Sequence, residues 1–363
     1  TGLGRAYGAP NHFPGTNSVL YRNNGDETFS DISKAAGINI LDPVSHHPEG
    51  KALGVIPLDY DQDGWTDLFV ANDTVRNFLF HNQGNGTFEE TAIFEGLAYD
   101  RNGKATGAMG VDSSWFGNDA DIAIAIGNFA NEATSFYTTA EGQLPFADEA
   151  ITTGIGPTSR LALTFGLFFL DADLDGWLDF FQANGHLEKE INKVQLSQTY
   201  AQPPQLFWQC GNACKNRYQP VTHSGDLNTP LVGRGASYAD IDQDGDLDLL
   251  ITQSGRSARL FRNDQTQHHH WLRILLKGKQ MNRQGIGASV SLVSGGITQR
   301  RRVTRTHGYL SQSELPLTFG LGNHDHVETL TINWPDGTEQ RINTPAIDQL
   351  LTIQHPAIQE QPQ

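Results

Sequence analysis

A nine-residue acidic loop occurs three times in this 363-residue chain: DYDQDGWTD (59–67), DADLDGWLD (171–179) and DIDQDGDLD (240–248). Each reads D-x-D-x-D-G-x-x-D and runs directly into the apolar residues LFVAN, FFQAN or LLITQ. Alternate carboxylates on a tight turn, with Gly at the sixth position, are what a hard cation such as Ca²⁺ requires, since it takes six to eight oxygen ligands. The expected ligands in the first loop are the carboxylates of Asp59, Asp61, Asp63 and Asp67 with the Trp65 carbonyl. In the second they are Asp171, Asp173, Asp175, Asp179 and the Trp177 carbonyl, and in the third Asp240, Asp242, Asp244, Asp248 and the Asp246 carbonyl. An EF-hand would place a bidentate Glu at position twelve between two helices. Position twelve here is Val70, Gln182 or Ile251, and the flanks read as β, so that alternative is rejected. Mg²⁺ suits the pattern less well, because it prefers few carboxylates and retained water.

The loops sit inside a longer repeat, and the repeat determines the fold. A damaged copy lies between the first two, where Trp115, Gly117, Ala120 and Ala123 replace loop residues and Asp119 survives. Taking 115 as its start, loop starts fall at 59, 115, 171 and 240. Each unit opens with a Gly-rich strand (KALGVIPL, GAMGV, LTFGLFFL, GRGASYA) and closes with an aromatic strand and a turn. Four short strands with Gly/Asn turns per unit of about 50 residues is the arithmetic of a β-propeller blade. The third unit is longer, and its extra segment HLEKEINKVQL, with Leu187, Ile191 and Val194 at helical spacing, predicts a short helix on one rim.

The first unit starts midway. VLYRNNGDETFSDISKAAGI (19–38) matches the second half of a blade without an Asp loop before it. The chain opens on Thr, which reads as a processed or incomplete N-terminus. Residues 1–267 are therefore expected to form a propeller of four units plus a partial one. From 268 the pattern changes to period-2 runs (HWLRILLKG, GASVSLVSG, ITQRRRVTR, LPLTFGLG, VETLTINWPDG, LLTIQ) separated by turn signals. Residues 268–355 read as a small antiparallel β-sandwich or barrel, and 356–363 as a polar tail, so the fold class is all-β.

These residues carry a family resemblance. The first part resembles the FG-GAP/VCBS repeats, calcium-loop blades also found in integrin α-subunit heads. The second part is similar to the ASPIC/UnbV domain through HHWLRILLKGKQMNRQGIGASVSL, GYLSQS (308–313), LTFGLG and INWPDG. The combination resembles the cartilage acidic protein-like group. It implies an extracellular or surface protein with calcium-stiffened blades, and it implies no reaction.

The charge is lopsided. Residues 268–363 hold 9 Lys/Arg against 7 Asp/Glu, whereas the preceding 267 residues hold 16 against 34. An acidic surface of this kind argues against nucleic-acid partners, whose phosphates need Lys and Arg. The one basic run, QRRRVTR (299–305), reads as a solvated strand face, or as a surface docking on the acidic propeller of the same or a neighbouring chain. No stretch of 18 apolar residues exists to span a membrane. Cys210 and Cys214 lack a second Cys pair for zinc, so in an extracellular setting a small disulfide loop is expected. Asn72 and Asn85 head N-x-T sequons, candidate glycosylation sites in a secreted protein.

No nucleophile elbow, zincin or P-loop motif is present, and no catalytic residue is assigned. His268, His269 and His270 alternate in direction on a strand and read as a polar linker. Trp65 and Trp177 are expected to pack between blades, and His186 to serve a structural turn. The leading expectation is a non-enzymatic, calcium-stabilised extracellular binding or structural protein with about three Ca²⁺. Its partner would be another protein or a glycan, and the incomplete first blade could exchange a strand with another copy to build oligomers or fibres. The alternative is a carbohydrate-binding or glycan-processing protein with its site on a propeller rim.

Overall fold

The structure, a computed structural model, describes residues 6–214 and 216–359. It is almost entirely β. Three four-stranded antiparallel blades follow one another. Blade one is Ala52–Leu58, Asp67–Asn72, Phe78–Asn82 and Phe88–Glu90. Blade two is Val111–Ser114, Ala123–Ile126, Ser135–Ala140 and Gln143–Asp148. Blade three is Thr164–Leu170, Asp179–Asn184, Gln205–Gln209 and Tyr218–Pro220. Blade four has three strands instead of four, Gly233–Ala239, Asp248–Gln253 and Arg256–Phe261. The partial unit is a two-stranded hairpin, Tyr21–Asn23 with Phe29–Asp31. Its neighbours Leu20, Ile38 and Ile40 pack on Val70, Phe78, Phe80 and Phe88 of blade one.

The innermost strands of blades one to four lie side by side in chain order. Among the described residues no extensive contact joins Ala52–Leu58 to Gly233–Ala239, so ring closure is not a feature of this structure. Apolar side chains from both faces of each blade fill the spaces between blades. Phe116, Phe136, Phe169, Phe180, Phe207 and Tyr218 form one such layer between blades two and three. The repeat is also visible in a buried asparagine at or just after the end of the second strand in blades one to three: Asn72, Asn128 and Asn184, 56 residues apart. Each donates from Nδ2 to a backbone carbonyl of the following loop, of Arg76, Ala133 and Pro203 respectively. A fully buried amide must satisfy its donors and acceptor, and here the loop backbone does so.

The rim segment of blade three forms a single 3-10 turn, Ile191–Lys193, and not the helix its spacing predicts. Ile191 is buried, but Val194 and Leu196 are exposed. Leu187 and Ile191 are anchored, and two such side chains do not offset the cost of nucleating a short helix.

The C-terminal unit is a sandwich. One sheet places His270–Lys277 between Leu317–Gly322 and Gln349–Gln354. The other orders Ile297–Arg302, Ser289–Ser294, Thr329–Asn333 and Glu339–Asn343. Alternate residues Leu272, Ile274, Leu276, Val290, Leu292, Leu330 and Ile332 all point into one core, the period-2 signature of half-buried strands. The pairing is antiparallel except between His270–Lys277 and Gln349–Gln354, which run parallel. Within the tail, Pro356–Gln359 form one helical turn, and residues 360–363 lie outside the described residues.

A two-stranded hairpin, Thr306–His307 with Ser311–Gln312, projects from the sandwich onto the innermost strands of blades two, three and four. Gly308 exchanges backbone hydrogen bonds with Val111 in both directions, at 3.0 and 3.2 Å. At φ +62°, a Cβ on Gly308 would fall 2.7 Å from the Leu167 carbonyl oxygen, so only glycine fits. GYLSQS is thus the segment that inserts between the blades.

Candidate metal loops and the interdomain face

The three Asp loops follow one backbone path. Position four is left-handed in each (Gln62 φ 61°, Leu174 φ 59°, Gln243 φ 64°), as is the sixth-position glycine (Gly64 92°, Gly176 93°, Gly245 103°). This tight path turns the first, third and fifth carboxylates inward. Oxygens of Asp59, Asp61 and Asp63 lie within 4.8 Å of one another, as do those of Asp171, Asp173 and Asp175, and of Asp240, Asp242 and Asp244. The fifth-position carboxylate is oriented by the amide two residues on: Trp65 N to Asp63 (2.7 Å), Trp177 N to Asp175 (2.8 Å) and Asp246 N to Asp244 (3.2 Å).

The ninth-position aspartate also anchors the loop. Asp67 accepts from the Tyr60 and Asn82 amides, Asp179 from Ala172 and Gln209, and Asp248 from Ile241 and Asn263. Both oxygens of each thus tie the loop to its own blade, and Asp67 also groups with Asp61 and His81 within 4.8 Å. At the seventh position it is the amides of Trp65, Trp177 and Asp246 whose bonds are seen; the side chain of Asp246 accepts from Gln265 N through one oxygen.

The decisive group is the first aspartate. Asp171 and Asp240 each accept from the sixth-position glycine amide through Oδ2. In all three loops Oδ1 of the first residue (Asp59, Asp171, Asp240) is buried and has no hydrogen-bond partner. An ionised oxygen removed from water needs a partner, and the remaining oxygens of the triad cannot supply one, because they are acceptors too. The donor set therefore fits a hard cation. Burial, with repulsion between neighbouring carboxylates, pushes several groups of these loops upward: Asp171 and Asp179 well above the usual carboxylate range, Asp175 and Asp67 to about 6, and Asp246 to about 7.

Several features escaped the sequence. His81, from the third strand of blade one, brings Nδ1 to 3.4 Å from both Asp61 and Asp67. In the damaged loop of blade two, Asp119 faces Arg217 of blade three at 3.8 Å, with the guanidinium lying 4.6 Å from the Phe116 ring centroid, so a basic side chain stands beside this loop. Trp65 and Trp177 do not pack between blades. They lie over the turn of their own blade, against Gly84 and Gly211 respectively, and Trp65 stays 52% exposed.

The basic run is not a solvated face. Arg301 is 7% exposed and stacks near Phe319, and Arg302 lies 4.0 Å from Asp59. Along with Arg273, which pairs with Asp240 at 2.6 Å, these residues sit where the sandwich meets the loop-bearing end of the propeller. The reading of this run as a surface docking on the propeller of the same chain is the one the structure bears out. Between the two units is a cavity of about 90 Å³. On its wall His307 bridges Asp112 (Nδ1–Oδ1, 2.9 Å) and the Tyr238 hydroxyl (Nε2–O, 3.3 Å).

Cys210 and Cys214 are disulfide-bonded, with Cα atoms 5.8 Å apart. Asn85 is exposed at a turn. Asn72 is fully buried, accepts from Lys51 N and donates to Arg76 O, which removes it as a glycosylation site in the folded chain. His186 is buried and accepts from Glu188 N, a structural turn. His269 reaches the second loop, and His270 pairs with Asp348.

Residues 278–360 match the model of the ASPIC and UnbV family, and residues 59–112 match that of the FG-GAP-like repeat. The chain is 25% identical to Cartilage acidic protein 1 of Mus musculus over 343 residues, 90% of this chain and 47% of that protein. The Homo sapiens protein of the same name is 25% identical over 344 residues, 90% of this chain and 46% of its own length. The chain thus spans about half the length of the curated relatives it matches. An Agrocybe aegerita lectin, described as recognising non-reducing terminal N-acetylglucosamine, superposes with a TM-score of 0.37 at 14% identity, over 84% of this chain and 79% of that one. Among the described residues no helix is long and apolar enough to cross a membrane.

Proposed function

We propose that this chain is a non-enzymatic, extracellular binding or structural protein whose blades are stiffened by about three Ca²⁺. The observation that carries the metal is the buried, unpartnered Oδ1 of Asp59, Asp171 and Asp240, each on a residue whose carboxylate lies within 4.8 Å of two further carboxylates of its loop. Asp61, Asp63, Asp173, Asp175, Asp242 and Asp244 would complete the carboxylate sets, and the ion would supply charge neutralisation and cross-linking, not chemistry. The extracellular setting is supported by the disulfide and by the similarity to Cartilage acidic protein 1.

The test is calorimetric titration with Ca²⁺ and thermal unfolding with and without EDTA. Binding of about three ions and a marked drop in melting temperature on chelation are expected; a chain that neither binds Ca²⁺ nor melts earlier in EDTA overturns the assignment. A screen of polysaccharides tests the absence of catalysis, and turnover of any of them would overturn it.

The partner is a protein or glycan at the surface, and a second copy of this chain is one such protein. The two-stranded hairpin Tyr21–Asn23 and Phe29–Asp31 is largely exposed, including Tyr21 and Phe29, and an uncovered strand edge is a template for pairing. Light scattering across a hundredfold concentration range is expected to show growth of oligomers. A mass that stays at one chain throughout would remove strand exchange.

A further inference from the structure

The second loop differs from the other two in how much of it is gripped from outside. Asn263 donates to the Ala172 carbonyl at 2.7 Å. Nδ1 of His269 lies 2.7 Å from the Asp173 carbonyl oxygen, and since a carbonyl only accepts, Nδ1 carries the proton. Gly322 N donates to Leu174 O at 2.9 Å. Gly320 N donates to Oδ2 of Asp171 at 3.0 Å, while Gln299 holds the Gly320 carbonyl at 2.6 Å. Three consecutive carbonyls and the first carboxylate are therefore fixed by residues that follow the propeller blades in sequence. Asp171 is 1% exposed, and its Oδ2 is shared by the Gly176 and Gly320 amides. Its carboxylate cannot rotate without breaking one of these bonds, so the orientation of this group within the acidic cluster is fixed.

Outer partners of this kind set the orientation of a metal ligand, and losing one typically lowers metal affinity 10- to 100-fold. At the other two loops the sandwich presents arginines, Arg302 toward Asp59 and Arg273 toward Asp240, whose charge opposes a cation. At the second loop Arg301 also lies close to Asp171, but the sandwich group that bonds the Asp171 carboxylate is the neutral Gly320 amide.

We propose that residues 171–179 form an interdomain calcium site, in which the strand Leu317–Gly322 is the outer shell, so that ion binding and seating of this strand are reciprocally coupled. The proposal rests on the calcium reading above. Reciprocity follows from linkage: whatever the docked strand adds to ion affinity, the ion adds to docking.

The experiment uses the full chain. Hydrogen exchange at the Gly320 and Gly322 amides reads docking, and calorimetry reads Ca²⁺. In the unmodified chain, Ca²⁺ is expected to slow exchange at both amides at least tenfold. Asp175→Asn, which removes a ligand of the second loop, is expected to abolish that slowing, whereas Asp63→Asn in the first loop leaves it intact. In the reverse direction, a Cβ at Gly320 would run into Asp171 Oδ2 and the Leu174 backbone. Gly320→Ala is therefore expected to weaken one of three calcium affinities 10- to 100-fold and spare two. If Gly320→Ala does not fold, the two Asp variants still decide. Three bound ions with unchanged exchange at Gly320 and Gly322, or equal effects of the two Asp variants, overturn the interdomain site and leave the calcium reading standing. No bound Ca²⁺ at all overturns both.

Discussion

Arg273 and Asp240 are bonded across the boundary between propeller and sandwich, Nη1 to Oδ2 at 2.6 Å, with side chains 5% and 1% exposed. The second arm of the same guanidinium pairs with Glu314. Removing one partner of a buried ion pair leaves a charge stranded in a low-dielectric site, at a cost of about 3–5 kcal/mol. Arg273→Ala is expected to lose about this much stability, measured by denaturant midpoint. The loss is expected to be larger in EDTA than in Ca²⁺, because a cation at the third loop offsets some of the exposed negative charge. A loss below about 1 kcal/mol in both conditions would mean that the pair does not hold the interface.

The metal-free chain is expected to weaken as pH rises. Burial holds Asp175 and Asp67 at about 6 and Asp246 at about 7, while the unfolded chain titrates its aspartates near about 4. The folded state thus binds these protons more tightly. Their contribution is fully present below about pH 4 and is lost as pH passes through 6 to 7. Calcium needs the deprotonated ligands, so its stabilisation grows over the same window. Melting in EDTA is expected to fall between pH 5 and 8, and the gap between calcium and EDTA curves to widen. A metal-free melting temperature that climbs across that range would contradict the burial of these groups.

Calcium removal has an expected size. A site saturated at about 100 times its Kd adds about 2.7 kcal/mol. Three independent sites would therefore make chelation comparable to the whole stability of a typical domain, about 5–15 kcal/mol. Asp244→Asn alone is expected to reproduce roughly one third of the EDTA effect on the unfolding midpoint.

Glycan attachment is expected at one sequon. Expressed through a eukaryotic secretory route, the chain would carry sugar at Asn85 and none at Asn72. Asn85→Gln is then expected to remove all added mass in peptide mapping. Modification of Asn72 would show that this strand end is open when the enzyme meets it.

At the hairpin tip, His307→Ala would leave Asp112 Oδ1 and the Tyr238 hydroxyl without their shared partner. An unsatisfied buried group costs about 1–3 kcal/mol, and the unfolding midpoint is expected to shift accordingly. No shift would indicate that water replaces the imidazole.

What the sequence revealed was local. The Asp and Gly positions of 59–67, 171–179 and 240–248 dictate a turn whose path depends on few neighbours, and the alternation of Leu272, Ile274 and Leu276 is read directly as one buried face. The features it hid depend on distant partners. Arg301 reads as surface because arginine usually is, yet Phe319 and the second loop bury it. Asn72 matches a surface sequon, but its place at a strand end commits both side-chain atoms to the backbone. Glu339–Asn343 is a strand with alternating burial and no strong apolar run, and Thr306–His307 is too short to carry a period. Asp61 was assigned from spacing, whereas its neighbour His81 arrives from another strand and leaves no trace in the loop.

The bond between Asp112 and His307 spans 195 positions. At synthesis rates of about 5–20 residues per second, roughly 10–40 s separate the two residues as they leave the ribosome. Blades three and four emerge within that interval, and for its last part, roughly 2–9 s between Phe261 and His307, all the blades are out while the hairpin that fills the space between their innermost strands is not. A nascent chain stalled after residue 267 would hold apolar inner strands with nothing seated between them, and would be a natural client for chaperones.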